Sequence, residues 1–277
     1  MRRQFGTLAL ARLTATTIEA LGIVLLARLV AGADLGLTLT TISLQTTLLG
    51  IASLGITTLI LCEYSRENYA AVRAALKLSI SSSVVGGVLA ATLPLLVIGD
   101  HPMKTLTAVL LAFVVSVDKN VEAQVGISIA CGISRTPGTS ILLRAVAALA
   151  IFLGLVPTDT NPVLAFSIGK AAAAMIGLVH FLDVTFVPQT GSRVSQIELM
   201  RVLWPLAANN SLAALRSLDT VIVTAVSGAT AAGLYAAASK SLAPFGFAAS
   251  ALSAVLMPTS AVMSGPEARR RAWKIAK

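Results

Sequence analysis

The chain has 277 residues, of which 56% are hydrophobic and 12% charged, and it carries a net charge of +9 at pH 7. Soluble domains contain roughly 25% charged residues, so a water-soluble globular fold is excluded and an integral membrane protein is indicated. The basic balance does not indicate nucleic-acid binding, because the Lys and Arg residues lie mostly between apolar runs rather than in one patch.

Eight apolar stretches reach the roughly 20 residues that a helix needs to cross a hydrocarbon core. They lie near 7–31, 37–61, 76–98, 105–131, 138–156, 163–183, 202–226 and 232–262. The alternation expected of a barrel strand is missing, and continuous apolar runs satisfy their own backbone polar groups only as helices. The predicted fold class is all-α: a polytopic membrane protein of about eight transmembrane helices.

Span 1 carries Arg12, Glu19 and Arg28; it has the basic start of a signal peptide, but Arg12 and Glu19 interrupt it, so it reads as an uncleaved helix. The turn AGADLG leads into span 2, which is followed by the basic connector CEYSRENYAAVRAALK, expected at the headgroup surface. Span 3 holds Gly86, Gly87 and Pro94, and the loop GDHPMK returns the chain to span 4. Span 4 is interrupted at its centre by VSVDKNVEAQ, where Asp118 and Glu122 share a helix face and Lys119 stands three before Glu122. Span 5 contains Arg144; span 6 contains Lys170, with His180 and Asp183 at its end. A polar connector, PQTGSRVSQIELMR, then precedes span 7, whose middle holds Arg216 and Asp219, and span 8, which carries Lys240. The expected domains are a six-helix bundle over 1–183, a cytoplasmic linker over 184–201, and the start of a second bundle over 202–277.

Positive charge in short loops marks the cytoplasmic side. Arg2, Arg3, Arg66, Arg73, Lys77, Arg135, Arg193, Arg201 and the tail residues Arg269 to Lys277 fall on the side of the N-terminus, with Lys104 opposite, so both termini are expected in the cytoplasm. Cys62 and Cys131 fall near inner helix ends, where no disulfide is expected. His101 and His180 lack partners at ligand spacing, so no metal site is predicted.

The chain also echoes itself. RLVAGADLGLTLTT at 28–41 aligns with TAVSGATAAGLYAAAS at 224–239, bringing Gly32 onto Gly228 and Gly36 onto Gly233. Inverted or parallel repeats of this kind are common in transporters.

On LLARLVAGADLGLTLTTISL, LRSLDTVIVTAVSGATAAGLYAAASK and LSAVLMP, the sequence resembles the polysaccharide (O-antigen type) flippases of the multidrug/oligosaccharidyl-lipid/polysaccharide exporter superfamily. That resemblance implies two six-helix bundles facing each other across a central cavity. This sequence supplies one bundle and the first two helices of the second, as if truncated after the eighth helix. The implied substrate is an undecaprenyl-diphosphate-linked glycan moved across a bacterial inner membrane, with the bilayer and other polysaccharide-assembly proteins as partners. No catalytic residue or cofactor is implied, though H+ or Na+ coupling is.

Within the spans, Arg12, Arg28, Lys119, Arg144, Lys170, Arg216 and Lys240 outnumber Glu19, Asp118, Glu122 and Asp219. Charges inside a bilayer are costly and face a bundle interior, water or one another. A cationic cavity is therefore expected, with Arg216, Lys170, Lys240, Lys119 and Arg12 as substrate-binding cations. Glu19, Asp118, Glu122 and Asp219 are the expected ion-coupling acids. The competing structural assignments are local pairs, Lys119 with Glu122 and Arg216 with Asp219, and interfacial placement of Arg28 and Arg144. Lys170 and Lys240 have no acid at helical spacing, which makes them the better anion binders. Asn209 and Asn210 suit a sugar or an interhelical hydrogen bond. Export of cationic drugs, a membrane glycan enzyme and an inactive truncated flippase are the alternatives.

Overall fold

The computed structural model describes the backbone of residues 2–98, 102–133, 135–182, 187–188 and 195–262, and from residue 241 onward only the course of the helix. Asp183, Arg193, the 99–101 loop and the basic tail lie outside the described residues.

The described chain is helical throughout: α1 Arg2–Leu29, α2 Gly32–Ala52, α3 Ile56–Ser65, α4 Tyr69–Ile98, α5 Pro102–Ala130, α6 Arg135–Leu155, α7 Pro162–Leu182, α8 Gln196–Leu215 and α9 Asp219–Val262. Six stretches are long and apolar enough to cross a membrane by length and composition: Gly6–Leu29, Gly32–Ala52, Tyr69–Leu93, Arg135–Thr158, Pro162–Phe181 and Leu199–Lys240. Helix α5 is 29 residues long and carries Asp118, Lys119 and Glu122 inside it. Helix α9 is broken at Gly228, whose φ of 83° and ψ of 168° are not helical. That break lies between the seventh and eighth apolar stretches, where a small-residue turn is expected from SGATAAG.

Two details differ from the sequence reading. The second apolar stretch is interrupted: Leu54 (φ 51°) and Gly55 (φ 70°) adopt left-handed conformations that separate α2 from α3. Gly55 suits this position, since left-handed backbone is inexpensive for glycine; Leu54 is held there by its neighbours. The basic connector is also no separate surface helix. After a tight turn at Glu67, Tyr69 to Lys77 form the first turns of the continuous 30-residue α4. The Glu63 carboxylate closes that turn by accepting from Arg66 Nη1 at 2.9 Å and Asn68 Nδ2 at 2.6 Å.

Apolar packing joins the elements in three main clusters. Leu8, Val121, Val125, Ile141 and Phe181 unite α1, α5, α6 and α7. Ile56, Ile60, Val72 and Ile127 receive Leu199 and Leu203 from α8. Leu26, Leu39, Phe152 and Phe166 receive Ala236 from α9. The outer faces stay apolar, with Val84, Val85 and Val88 of α4 and Ile222 and Val226 of α9 exposed, as lipid-facing positions require.

The two halves of the sequence echo meet each other. A Cβ on Gly36 would collide with the backbone carbonyl of Ala229, and one on Gly233 would lie 2.9 Å from Gly32 O and 3.0 Å from Gly36 N. Thr40 and Thr224 share a hydrogen bond of 2.6 Å alongside. Small residues let helix backbones approach to contact, which is how helices associate without a hydrophobic driving force in lipid. The α2–α9 seam is therefore built by three of the glycines that carry the echo, Gly32, Gly36 and Gly233. Polar stitching adds to it: the fully buried Gln45 donates from Nε2 to Ala90 O (3.0 Å) and Ala108 O (2.8 Å), tying α2 to α4 and α5.

Candidate functional site: a cavity lined by paired charges

A cavity of about 650 Å³ opens between α1, α5, α6 and α7, flanked by Thr46 of α2 and Asn210 of α8. Its floor is small: Ala15, Ala145, Ala148, Ala173 and Ala174 line it. Six charged residues line it too, and they are matched one to one between helices. Arg12 Nη2 meets Glu122 Oε2 at 3.4 Å, Arg144 Nη1 meets Asp118 Oδ1 at 3.1 Å, and Lys170 Nζ meets Glu19 Oε1 at 2.8 Å.

These pairs follow from where each helix turns its charged face. Asp118 and Glu122, four apart on α5, present both carboxylates to the cavity. Arg144 reaches across from α6 because Gly177 of α7 has no side chain to block it; a Cβ there would collide with the Arg144 Cδ. Within each pair the acid is the more open partner. Side-chain exposure is 39% for Glu122 against 18% for Arg12, 41% for Asp118 against 16% for Arg144, and 48% for Glu19 against 25% for Lys170. The cations are held at the wall and the carboxylates stand in front of them. Among the described residues, the buried Nε of Arg144 has no hydrogen-bond partner.

The remaining expected site residues stand elsewhere. Lys119 points away from the cavity, donating to Ala52 O (3.1 Å) and Ser82 Oγ (2.5 Å), so it caps the C-terminal carbonyls of α2 at the break. Those carbonyls need donors because the last turn of a helix has no internal partners for them. Asn210 serves the same break from the other side, donating from Nδ2 to Gly50 O and Ser53 Oγ. Lys240, half-buried on α9, lies near enough to act on the charge of Glu19. Arg216 is exposed, and Asp219 accepts instead from the Tyr235 hydroxyl at 2.8 Å and from the Thr220 backbone.

Three readings by local spacing are thus corrected. Among the described residues, Lys119 makes no ion pair with Glu122, whose partner is Arg12 110 positions away. Nor does Arg216 pair with Asp219. Arg144, expected at the interface, is a cavity residue, and sequence reasoning missed it because its position was counted along its own helix alone. The signal that was available is the run of small residues facing it, Gly177 with Ala173 and Ala174. The surplus of cations counted over the spans is also not a property of this cavity, whose described lining holds three cations and three acids.

Broken helices packed around a charged cavity recur among membrane transport folds. The chain is similar to the crystal structure of a mutant of the Vibrio cholerae MATE transporter VcmN, with a TM-score of 0.67 and 17% identity over 94% of this chain and 65% of that one. At that identity the likeness establishes a MATE-like fold. The chain belongs to the polysaccharide biosynthesis protein family, whose sequence profile matches residues 1–264. Among curated proteins none matches it. The protein is thus a multi-pass membrane protein of that family with a MATE-like fold, and it spans just under two thirds of the MATE chain it resembles.

Proposed function

We propose that the protein carries a lipid-diphosphate-linked oligosaccharide, of the undecaprenyl-diphosphate kind, from the cytoplasmic to the outer leaflet of a bacterial inner membrane. Both termini are cytoplasmic in this reading, and residues 1–183 act as one bundle against the segment from 202 onward, joined by the linker 184–201. The observation that carries it is the set Arg12, Arg144 and Lys170 lining one cavity. A diphosphate and its sugars cannot cross hydrocarbon unless fixed cations and hydrogen-bonding groups replace water. Arginine grips phosphate through two parallel hydrogen bonds and lysine acts as a point charge. The alanine floor leaves room, and Thr46 and Asn210 add polar groups at the rim.

The test is translocation of a fluorescent lipid-diphosphate oligosaccharide in vesicles. Arg12→Gln, Arg144→Gln and Lys170→Gln together are expected to reduce flipping at least tenfold while insertion into the vesicle is unchanged. Undiminished flipping by the triple variant contradicts the assignment.

A second reading has one observation in its favour. The carboxylates Glu19, Asp118 and Glu122 are more open to the cavity than their partners, an arrangement that also suits a cationic substrate, as in drug export. The family match to polysaccharide biosynthesis proteins favours the glycan.

A further inference from the structure

We infer that Glu19, Asp118 and Glu122 are internal counter-anions, and that an anionic substrate binds the cavity by displacing them from Lys170, Arg144 and Arg12 with uptake of protons from solvent. The inference rests on the diphosphate reading above and adds to it the sign of the proton linkage.

Every cation lining the cavity among the described residues is already engaged by a carboxylate, at 2.8 to 3.4 Å. A diphosphate cannot take Arg144 or Lys170 without loosening Asp118 or Glu19. Each freed carboxylate is then left beside a bound anion, with no free cation among the described lining residues to neutralise it. An unpaired charge in such surroundings is costly, whereas its protonated form is not. Binding the anion therefore draws protons onto the acids, and by reciprocity protons strengthen binding of the anion.

The surroundings of each acid support exchange rather than simple loss of the pair. Glu19 of α1 faces Lys170 of α7, Arg144 of α6 and Lys240 of α9. Asp118 of α5 faces Arg144 and Lys170, with Glu122 and Glu19 also near. Glu122 faces Arg12 of α1. The elements completing the wall, α2 and α8, contribute the neutral Thr46 and Asn210. Arg144 and Lys170 each lie within reach of more than one acid, so once the diphosphate spans them Glu19 and Asp118 lose their shared cations, and of the two only Glu19 keeps a further cation in reach, Lys240. The exposure difference points the same way: the acids stand nearer the cavity, where solvent delivers the proton, and the cations stand behind them.

A cationic substrate gives the opposite sign. It would take its place among the same carboxylates in competition with protons, and so release them on binding.

The experiment is titration calorimetry of the full chain in lipid nanodiscs with farnesyl diphosphate as probe, repeated in two buffers of different ionisation enthalpy at one pH. The triple variant Glu19→Gln, Asp118→Asn, Glu122→Gln serves as reference, because protonation of the probe itself is common to both proteins. Wild type is expected to take up at least one proton more than the variant. One proton corresponds to about tenfold tighter binding per pH unit on acidification, and the variant is expected to bind at least tenfold more tightly than wild type at pH 8. The single variant Glu19→Gln, should the triple one not assemble, is expected to lose part of the uptake. Equal proton counts and equal affinities with both proteins binding overturn the inference while the diphosphate reading stands. Absence of binding to both proteins, with tetraphenylphosphonium bound and protons released, overturns the diphosphate reading itself.

Discussion

Gly36→Leu separates α2 from α9 and lowers the thermal midpoint of the purified protein by many degrees. The side chain has nowhere to go: its first carbon already collides with the Ala229 carbonyl, part of the backbone of the facing helix. Overpacking in well-packed interiors costs about 1–3 kcal/mol and sometimes more; a clash with backbone belongs at the upper end, because no side chain can rotate aside. The Thr40–Thr224 hydrogen bond, on the same seam, is lost with it. Gly154 is the internal control, with no atom within 4 Å of its would-be Cβ. Gly154→Ala is expected to be neutral or slightly stabilising, since alanine is the better helix former by up to about 1 kcal/mol. Thermal unfolding in detergent, followed by a thiol-reactive or intrinsic fluorescence signal, separates the two outcomes. A Gly36→Leu protein as stable as wild type contradicts the described contact between α2 and α9.

Lys170→Glu places a second carboxylate against Glu19, which now has its nearest partner at 2.8 Å. Two like charges at that distance cannot both remain ionised without cost, and the pair that anchored α7 to α1 at the cavity becomes repulsive. Transport is expected to fall at least tenfold. The reciprocal change Glu19→Lys alone should be similarly harmful, while the double swap restores assembly and part of the activity. A coupling of about 0.5–3 kcal/mol between the two positions is expected from a double-mutant cycle on stability, at the lower part of that range because both side chains are partly open to the cavity. Additive effects of the two changes contradict direct pairing.

The fold was largely legible from residues alone, for a physical reason. In lipid only a helix or a closed barrel satisfies the backbone, and long apolar runs without alternation such as 138–156 and 163–183 leave only the helix. The break at Gly228 was legible too, because the small residues of SGATAAG match the AGADLG turn. The break at Leu54 and Gly55 was not. A single Ser-Leu-Gly inside an apolar run carries no composition shift, and what holds the backbone there is distant in sequence: Lys119 and Asn210 supply the donors, and α8 packs against Gly55 through Leu206.

The site was only partly legible. Helical spacing finds neighbours three or four residues apart, but every ion pair of the cavity joins different helices, Arg12 to Glu122, Arg144 to Asp118 and Lys170 to Glu19. Lys170 was singled out because it has no local acid; its acid lies 151 residues earlier. Lys119 was grouped with the cavity because Asp118 and Glu122 are its neighbours in sequence, yet one step along a helix turns a side chain by about 100°, enough to carry it from the cavity to the break. A count of charges over whole spans therefore overstated the positive character of the cavity.

The central claim, that this paired-charge cavity moves a lipid diphosphate carrying sugars, is tested most directly by the selectivity of the wild-type protein. Vesicles holding the full chain would be offered three fluorescent substrates in turn: a prenyl-diphosphate oligosaccharide, the same oligosaccharide on an uncharged prenyl lipid, and a cationic dye. Flipping of the first at a rate well above protein-free vesicles, with the other two at background, is the predicted result. Transport of the cationic dye with the diphosphate lipid left at background would contradict it.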